Sequence, residues 1–203
     1  GLMPVEMPLH DKDWAFALAT VSSARGYAVR LSAGGVHGYG YAQAIPHMGS
    51  SFEGLPIEFA RFAPLVKDSD PRDIEGLLQK FERSLHGAPQ AKAAIECAAH
   101  DLVARAFGTP LWGLLGGKRT ERVPVIRILA LKPPDEMASK AAELFAEGYR
   151  YFKIKVHGDM GEDVARVRDG QPLEMLVPAV VRQRPRTRGR AGGRVGRGGS
   201  SEA

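Results

Sequence analysis

A change of pattern near residue 122 constrains this chain more than any other feature. Beyond it, Val123-Pro124-Val125-Ile126-Arg127-Ile128-Leu129-Ala130 is a mostly apolar run, as expected of a strand buried on both faces. Pro133-Pro134-Asp135 starts a helix with Met137, Ala141, Leu144 and Phe145 on one stripe, and Gly148 stands where a C′ glycine belongs. Tyr149 to Val156 reads as a second strand. Asp159 to Arg168 reads as another helix, with Asp159 and Glu162 at capping-box spacing. Strand, helix, strand, helix with short loops is the signature of parallel βα units.

The preceding residues follow another plan. Tyr27 to Leu31 and Val36 to Tyr41 flank the Gly-containing connection Ser32-Ala33-Gly34-Gly35, which predicts a hairpin, and an earlier strand around Ala17 to Ser22 would complete a meander. Gly54-Leu55-Pro56 opens a helix with Ile57, Ala60, Phe62, Ala63 and Val66 as its apolar side. Asp70 is expected to cap a second helix that starts at Pro71 and carries Ile74, Leu77, Leu78, Phe81 and Leu85 at helical spacing. An alanine-rich third helix, about Pro89 to Phe107, presents Ile95, Ala98, Leu102, Val103 and Ala106, and its alanines allow close packing. After it come the apolar turn Leu111 to Gly117 and a charged link, Lys118 to Arg122. The chain therefore divides into residues 1–122, an α+β unit, and residues 123–169, two βα units.

From Gly170 onward the pattern stops. Val177 to Val181 could form a short strand, but the arginine-alternating and Gly/Arg-rich stretch from Arg182 has no apolar face to bury and is expected to be disordered. Residues 170–203 hold seven arginines and two acids. They therefore account for the whole net charge of +5 and leave the rest of the chain neutral, with no bulk sign of a nucleic-acid or acidic-membrane surface. One cysteine excludes an internal disulfide or a Cys-based zinc site and suits a reducing cytoplasm. No apolar run reaches the roughly 20 residues that span a bilayer, and no secretory signal is visible at the start. Position 1 is Gly, so the expectation is of a chain that begins inside a longer reading frame.

Phe152-Lys153-Ile154-Lys155-Val156 is the most informative window for chemistry. Period-2 alternation puts Phe152, Ile154 and Val156 on one face and both lysines on the other. In a sheet covered by helices, the lysines would point into a confined interior, where desolvation and mutual repulsion favour loss of a proton. A lysine so placed can abstract protons near neutral pH. On a half-solvated strand the same spacing would give only two exposed lysines.

The order of motifs shifts the weight between these. The hairpin and helices, then A-I-E-C-A-A-H-D-L (94–102), G-T-P-L-W-G-L-L-G-G (108–117), V-P-V, and G-Y-R-Y-F-K-I-K-V (148–156) resemble the enolase superfamily, in its muconate-lactonizing and mandelate-racemase-like branch, over about residues 5–169. The resemblance implies an α+β capping domain followed by a modified (β/α) TIM-like barrel. It also implies Mg²⁺-assisted proton abstraction alpha to a carboxylate. By the same resemblance Lys155 would be the general base, and Lys153 would hold the substrate carboxylate or lower the pKa of its neighbour. Two capping-domain loops, near His10 to Phe16 and Ala42 to Ser51, would shape the pocket, making Trp14, Ile45, His47 and Met48 candidates for binding a small carboxylate substrate. The family's metal-binding carboxylates come from later barrel strands, so no Mg²⁺ ligand is expected in this chain. The stretch after Arg122 is far shorter than the roughly 250 residues of a barrel, and the family's opening strand is expected to be clipped.

Other candidates carry less. His37, His47, His86, His100 and His157 lack metal-ligand spacing. Cys97 reads as a small core residue. Gly35, Gly38 and Gly40 read as hairpin glycines, and Asp159 reads as a helix cap. The expectation is an incomplete racemase, epimerase, cycloisomerase or dehydratase, inactive as this chain, whose tail is what a frame shift near Asp169 in GC-rich coding sequence would give. The unpaired edge of such a sheet predicts association or a homo-oligomer. The alternatives are a non-catalytic protein with a nucleic-acid-binding Arg/Gly tail and a structural remnant of the capping domain.

Overall fold

A computed structural model of the chain describes residues 1–10, 14–16, 19–67, 69–156, 158–169 and 176–182. His157 and the Arg/Gly-rich stretch past Arg182 lie outside the described residues. The first part holds strands β1 (Leu2–Pro8), β2 (Trp14–Phe16), β3 (Ala19–Val21), β4 (Ser23–Ala33) and β5 (Val36–Gln43). β4 and β5 form the expected hairpin, turned by Gly34 and Gly35 with φ of +55° and +79°, a left-handed pair that matches strand twist and that glycine adopts without cost.

The third strand of this sheet is β1 rather than the stretch around Ala17 to Ser22. The order is β1-β4-β5, with β1 antiparallel to β4 from Leu2↔Val29 to Pro8↔Ser23. Leu2–Pro8 thus forms an edge strand of this sheet, at the very start of the chain. Pro4 and Pro8 are tolerated because β1 is an edge. β3 pairs with β2 in a separate two-stranded ribbon.

Helices α1 (Leu55–Lys67) and α2 (Ile74–Ser84) pack on each other and on α3 (Pro89–Ala106), which packs on the sheet. α1 buries Leu55, Phe59 and Phe62, whereas Ile57, expected on its apolar side, is 73% exposed. The cap of α2 is Asp73, whose carboxylate accepts from Gly76 N at 3.0 Å. Asp70 instead binds Arg72, accepting from its backbone N at 2.9 Å and from its guanidinium at 2.7 Å. The Arg72 hydrogen bonds hold the Asp70 carboxyl down at about 2. Phe62 and Phe81 meet with ring centroids 4.6 Å apart, joining α1 to α2 in a core that also holds Val29, Ala42, Ile95 and Ala98.

α3 lies unusually close to β5, and this corrects the reading of Gly38 and Gly40 as hairpin glycines. A Cβ on Gly38 would collide with the Ala98 carbonyl and the Leu102 amide, and one on Gly40 with the Ala94 carbonyl. Alanines on the helix and glycines on the strand together let the two backbones touch. Cys97, on the same helix, is exposed rather than in the core, because Ala98 and Ala99 take the inward positions.

A short helix, α4 (Leu111–Leu114), precedes the second part: β6 (Ile126–Leu129), α5 (Pro134–Ala146), β7 (Tyr151–Val156), α6 (Met160–Asp169) and β8 (Leu176–Arg182). The strands form a parallel sheet in the order β6-β7-β8. β8 takes up the short strand that Val177 to Val181 allowed, running from Leu176 to Arg182 and paired parallel to β7. α5 buries Met137, Ala141 and Leu144 against Leu129, Phe152, Ile154 and Val156, and Gly148 ends the segment with φ +104°. The run from Val123 is not covered on both faces: Ile126 is 50% and Ile128 38% exposed. Helices cover one face, and no described element packs over Ile126 and Ile128.

Candidate active site

β7 alternates as its sequence requires. Phe152, Ile154 and Val156 are buried toward α5, and Tyr151, Lys153 and Lys155 are half-buried on the opposite face. Parallel pairing places like faces side by side, so Lys153 stands between Ile128 of β6 and Ala179 of β8, and Lys155 is level with Val181. The lysines thus share a face with Ile128 of β6, with the β8 backbone paired along their other side. Burial, and then the charge of Lys153, push the Lys155 ammonium below its ordinary value. Both causes follow from the strand: its pleat puts the two lysines on one face, and the sheet removes water from around them.

The chain after β7 fixes this end of the sheet. Asp159 accepts from Glu162 N at 3.0 Å, as its capping position predicts. Glu162 and Asp163 both reach Arg166, at 2.6 and 2.9 Å. Arg166 is buried and donates to the Lys132 carbonyl at 2.9 Å, tying α6 to the loop that follows β6. Arg166 was not singled out from the sequence. Its only signal there is the helical spacing of Glu162, Asp163 and Arg166, which is common on exposed helix faces.

The pocket candidates separate. Ile45 and His47, around the 3₁₀ turn Pro46–Met48, line an open groove of about 1600 Å³ whose other wall is β6 and α5, including Ile126, Ile128, Asp135 and Glu136. Neither Lys153 nor Lys155 lines that groove, and Met48 is exposed outside it. Trp14 has a backbone position on β2, and its side chain lies outside the described residues. The residues do not fit a magnesium site: among those described, no group of three or more His, Cys, Asp or Glu side chains could hold a metal ion. Nor is any described helix long and apolar enough to cross a membrane.

Residues 3–116 match the family described as Mandelate racemase / muconate lactonizing enzyme, N-terminal domain. The chain belongs to that family, within the enolase superfamily. Among its relatives, the N-succinyl-L-Arg/Lys racemase of Bacillus cereus is 33% identical over 135 residues, covering 66% of this chain and 37% of the relative. The cis-3-hydroxy-L-proline dehydratase of Roseibium aggregatum is 35% identical over 133 residues, covering 63% of this chain and 36% of its own length. The fold agrees. The crystal structure of the Bacillus cereus racemase superposes with a TM-score of 0.82 at 27% identity, over 87% of this chain and 49% of that one. The Enterococcus faecalis dipeptide epimerase, solved with Mg and the dipeptide L-Leu-L-Tyr, gives the same TM-score and identity over 87% of this chain and 51% of that one. The chain thus spans between about a third and a half of the length of these family members.

Proposed function

We propose that this chain carries the substrate-capping unit and the proton-abstracting strand of an enzyme that acts alpha to a carboxylate, a racemase or epimerase in first place and a cycloisomerase or dehydratase otherwise. The observation that carries the reading is the lysine row of β7, where burial and a like-charged neighbour lower the proton affinity of Lys155. Neutral Lys155 would take the alpha proton. Lys153, as an ammonium, would hold the substrate carboxylate and keep its neighbour's affinity low. Racemases and epimerases of amino-acid derivatives and dipeptides recur among the relatives, which favours a small amino-acid-derived carboxylate as substrate. Ile45, His47, Met48 and Trp14 would contribute to its selection from the capping unit. The second hydrophobic cluster starts beyond residue 122, and we take that point as the boundary between the units.

Bound Mg²⁺, as in the Enterococcus faecalis epimerase structure, would supply charge stabilisation to a carboxylate substrate losing its alpha proton. The residues described here do not supply the metal's ligands, so no step is derived through it, and we propose that the chain does not turn over by itself. Its single cysteine suits a reducing cytoplasm. The test joins residues 1–169 to the portion of the Bacillus cereus racemase beyond its matched region and follows loss of the alpha-proton signal of N-succinyl-lysine in D₂O by NMR. The fusion should exchange the proton, and Lys155→Ala should slow exchange by about 10²–10⁴-fold. Exchange that is indifferent to Lys155→Ala would remove the assigned base, and Mg²⁺-dependent exchange by the unfused chain would remove the claim of inactivity.

A further inference from the structure

We infer that the lysine end of the β6-β7-β8 sheet in this chain is closed to divalent cations, so that whatever it binds there is bound without Mg²⁺. The inference rests on the reading of the lysine row as the reactive face, and its grounds are the donor chemistry of that row. In register across the sheet, Ile128, Lys153 and Ala179 form one level and Lys155 and Val181 the next, while Ala130 lies one step past the paired residues of β6. The side chains of Ile128, Lys153 and Lys155 offer no oxygen to a hard cation, which takes six or more oxygen ligands. The Lys153 ammonium on that face also repels a dication.

The acids that follow β7 hold the start of α6, and Asp135 and Glu136, after β6, line the groove with Ile126 and Ile128; among the described residues they form no group of three that could hold a metal ion. Asp159 holds the start of α6 through Glu162 N. Glu162 and Asp163 are held by Arg166, whose buried guanidinium is anchored on the Lys132 carbonyl. Turning either carboxylate toward the lysine row would leave that guanidinium buried with less of its charge compensated, a costly arrangement. Among the described residues, the parallel sheet therefore presents amines near its carboxyl end, where α/β folds bind ligands, and no cluster of carboxylates.

The test uses the full chain labelled with ¹⁵N and titrated with Mn²⁺, whose paramagnetism broadens amide signals near any site it occupies. The expected result is no saturable broadening of amides in residues 126–132 and 151–156, and a melting temperature that neither Mg²⁺ nor EDTA moves. Broadening that scatters over exposed carboxylates without saturating is the same result. Saturable broadening centred on the ends of β6 and β7, or a melting temperature raised by Mg²⁺ and returned by EDTA, overturns the inference. The Lys155 Cε signal, titrated in the same sample, keeps the two readings apart. An ordinary lysine titration would remove the proposed base and leave the metal result standing.

Discussion

Lys153 and Lys155 are separated by the two-residue repeat of a strand, and that spacing alone sets their shared face. Burial is the larger cause of the lowered Lys155 value and Lys153 the smaller. In Lys153→Met, the Lys155 Cε titration should therefore move only part of the way back to 10.5. A full return would show that charge, not burial, governs the site. The sign for stability follows from proton counting. Between the lowered value and 10.5 the unfolded chain binds more protons, so stability should rise with pH across that window. Below it, the penalty of a charged, half-buried ammonium is fully present. Urea midpoints at pH 8 and pH 10 should differ in the wild type by more than in Lys155→Met, and equal differences would contradict the assignment. This face was legible in the sequence because alternation is a local property. The separation of Met48 from Ile45 and His47 was not, since it depends on how a loop meets β6 and α5 across the groove.

At the scale of elements, what the sequence left open is a matter of partners. Helical spacing located α2, but both Asp70 and Asp73 are competent caps, and only the backbone shows that Gly76 N meets Asp73. Asp73→Ala should cost about 1 kcal/mol in chemical denaturation, and Asp70→Ala distinctly less, because its bonds to Arg72 lie exposed outside the helix. Equal losses would restore the cap to Asp70. Gly38 and Gly40 looked like hairpin residues because they lie near Gly34 and Gly35, and their contact with α3 joins residues some sixty positions apart. No local rule reports such a contact. Gly38→Ala should destabilise the chain by about 1–3 kcal/mol, as overpacking does, and toward the upper end because the obstruction is backbone. Gly35→Ala, in open space but at positive φ, should fail for conformational reasons alone, by about 1 kcal/mol. The apolar run from Val123 misled in the opposite direction. Its composition fits a strand covered on both faces, whereas the structure covers one.

For the whole molecule, the two hydrophobic clusters have different means of resisting unfolding. The first joins a three-stranded sheet to three helices through Val29, Leu55, Phe62, Phe81, Ile95 and Ala98. The second is held by one face of a parallel sheet and α5, while Ile126 and Ile128 on the other face remain in contact with solvent. Buried apolar area is the main favourable term in stability, so the second cluster should open first, and the link Lys118–Arg122 gives it freedom to do so without dragging α3. Hydrogen exchange in rising urea tests this directly. Amides of β4, β5 and α3 should keep their protection at concentrations where those of β6 and β7 have lost it, as separate cooperative units do. Simultaneous loss would mean that the groove between the units transmits enough contact energy to make them one. The same opening exposes the β6 edge, an unpaired row of backbone donors and acceptors beside Val123, Val125 and Ile126, and edges of that kind recruit other chains. Sedimentation should accordingly show association that grows with urea up to the midpoint of the second cluster and falls beyond it. Association insensitive to urea in that range would place the contact elsewhere, on the exposed Phe107, Trp112 and Leu115 at the end of α3 and around α4.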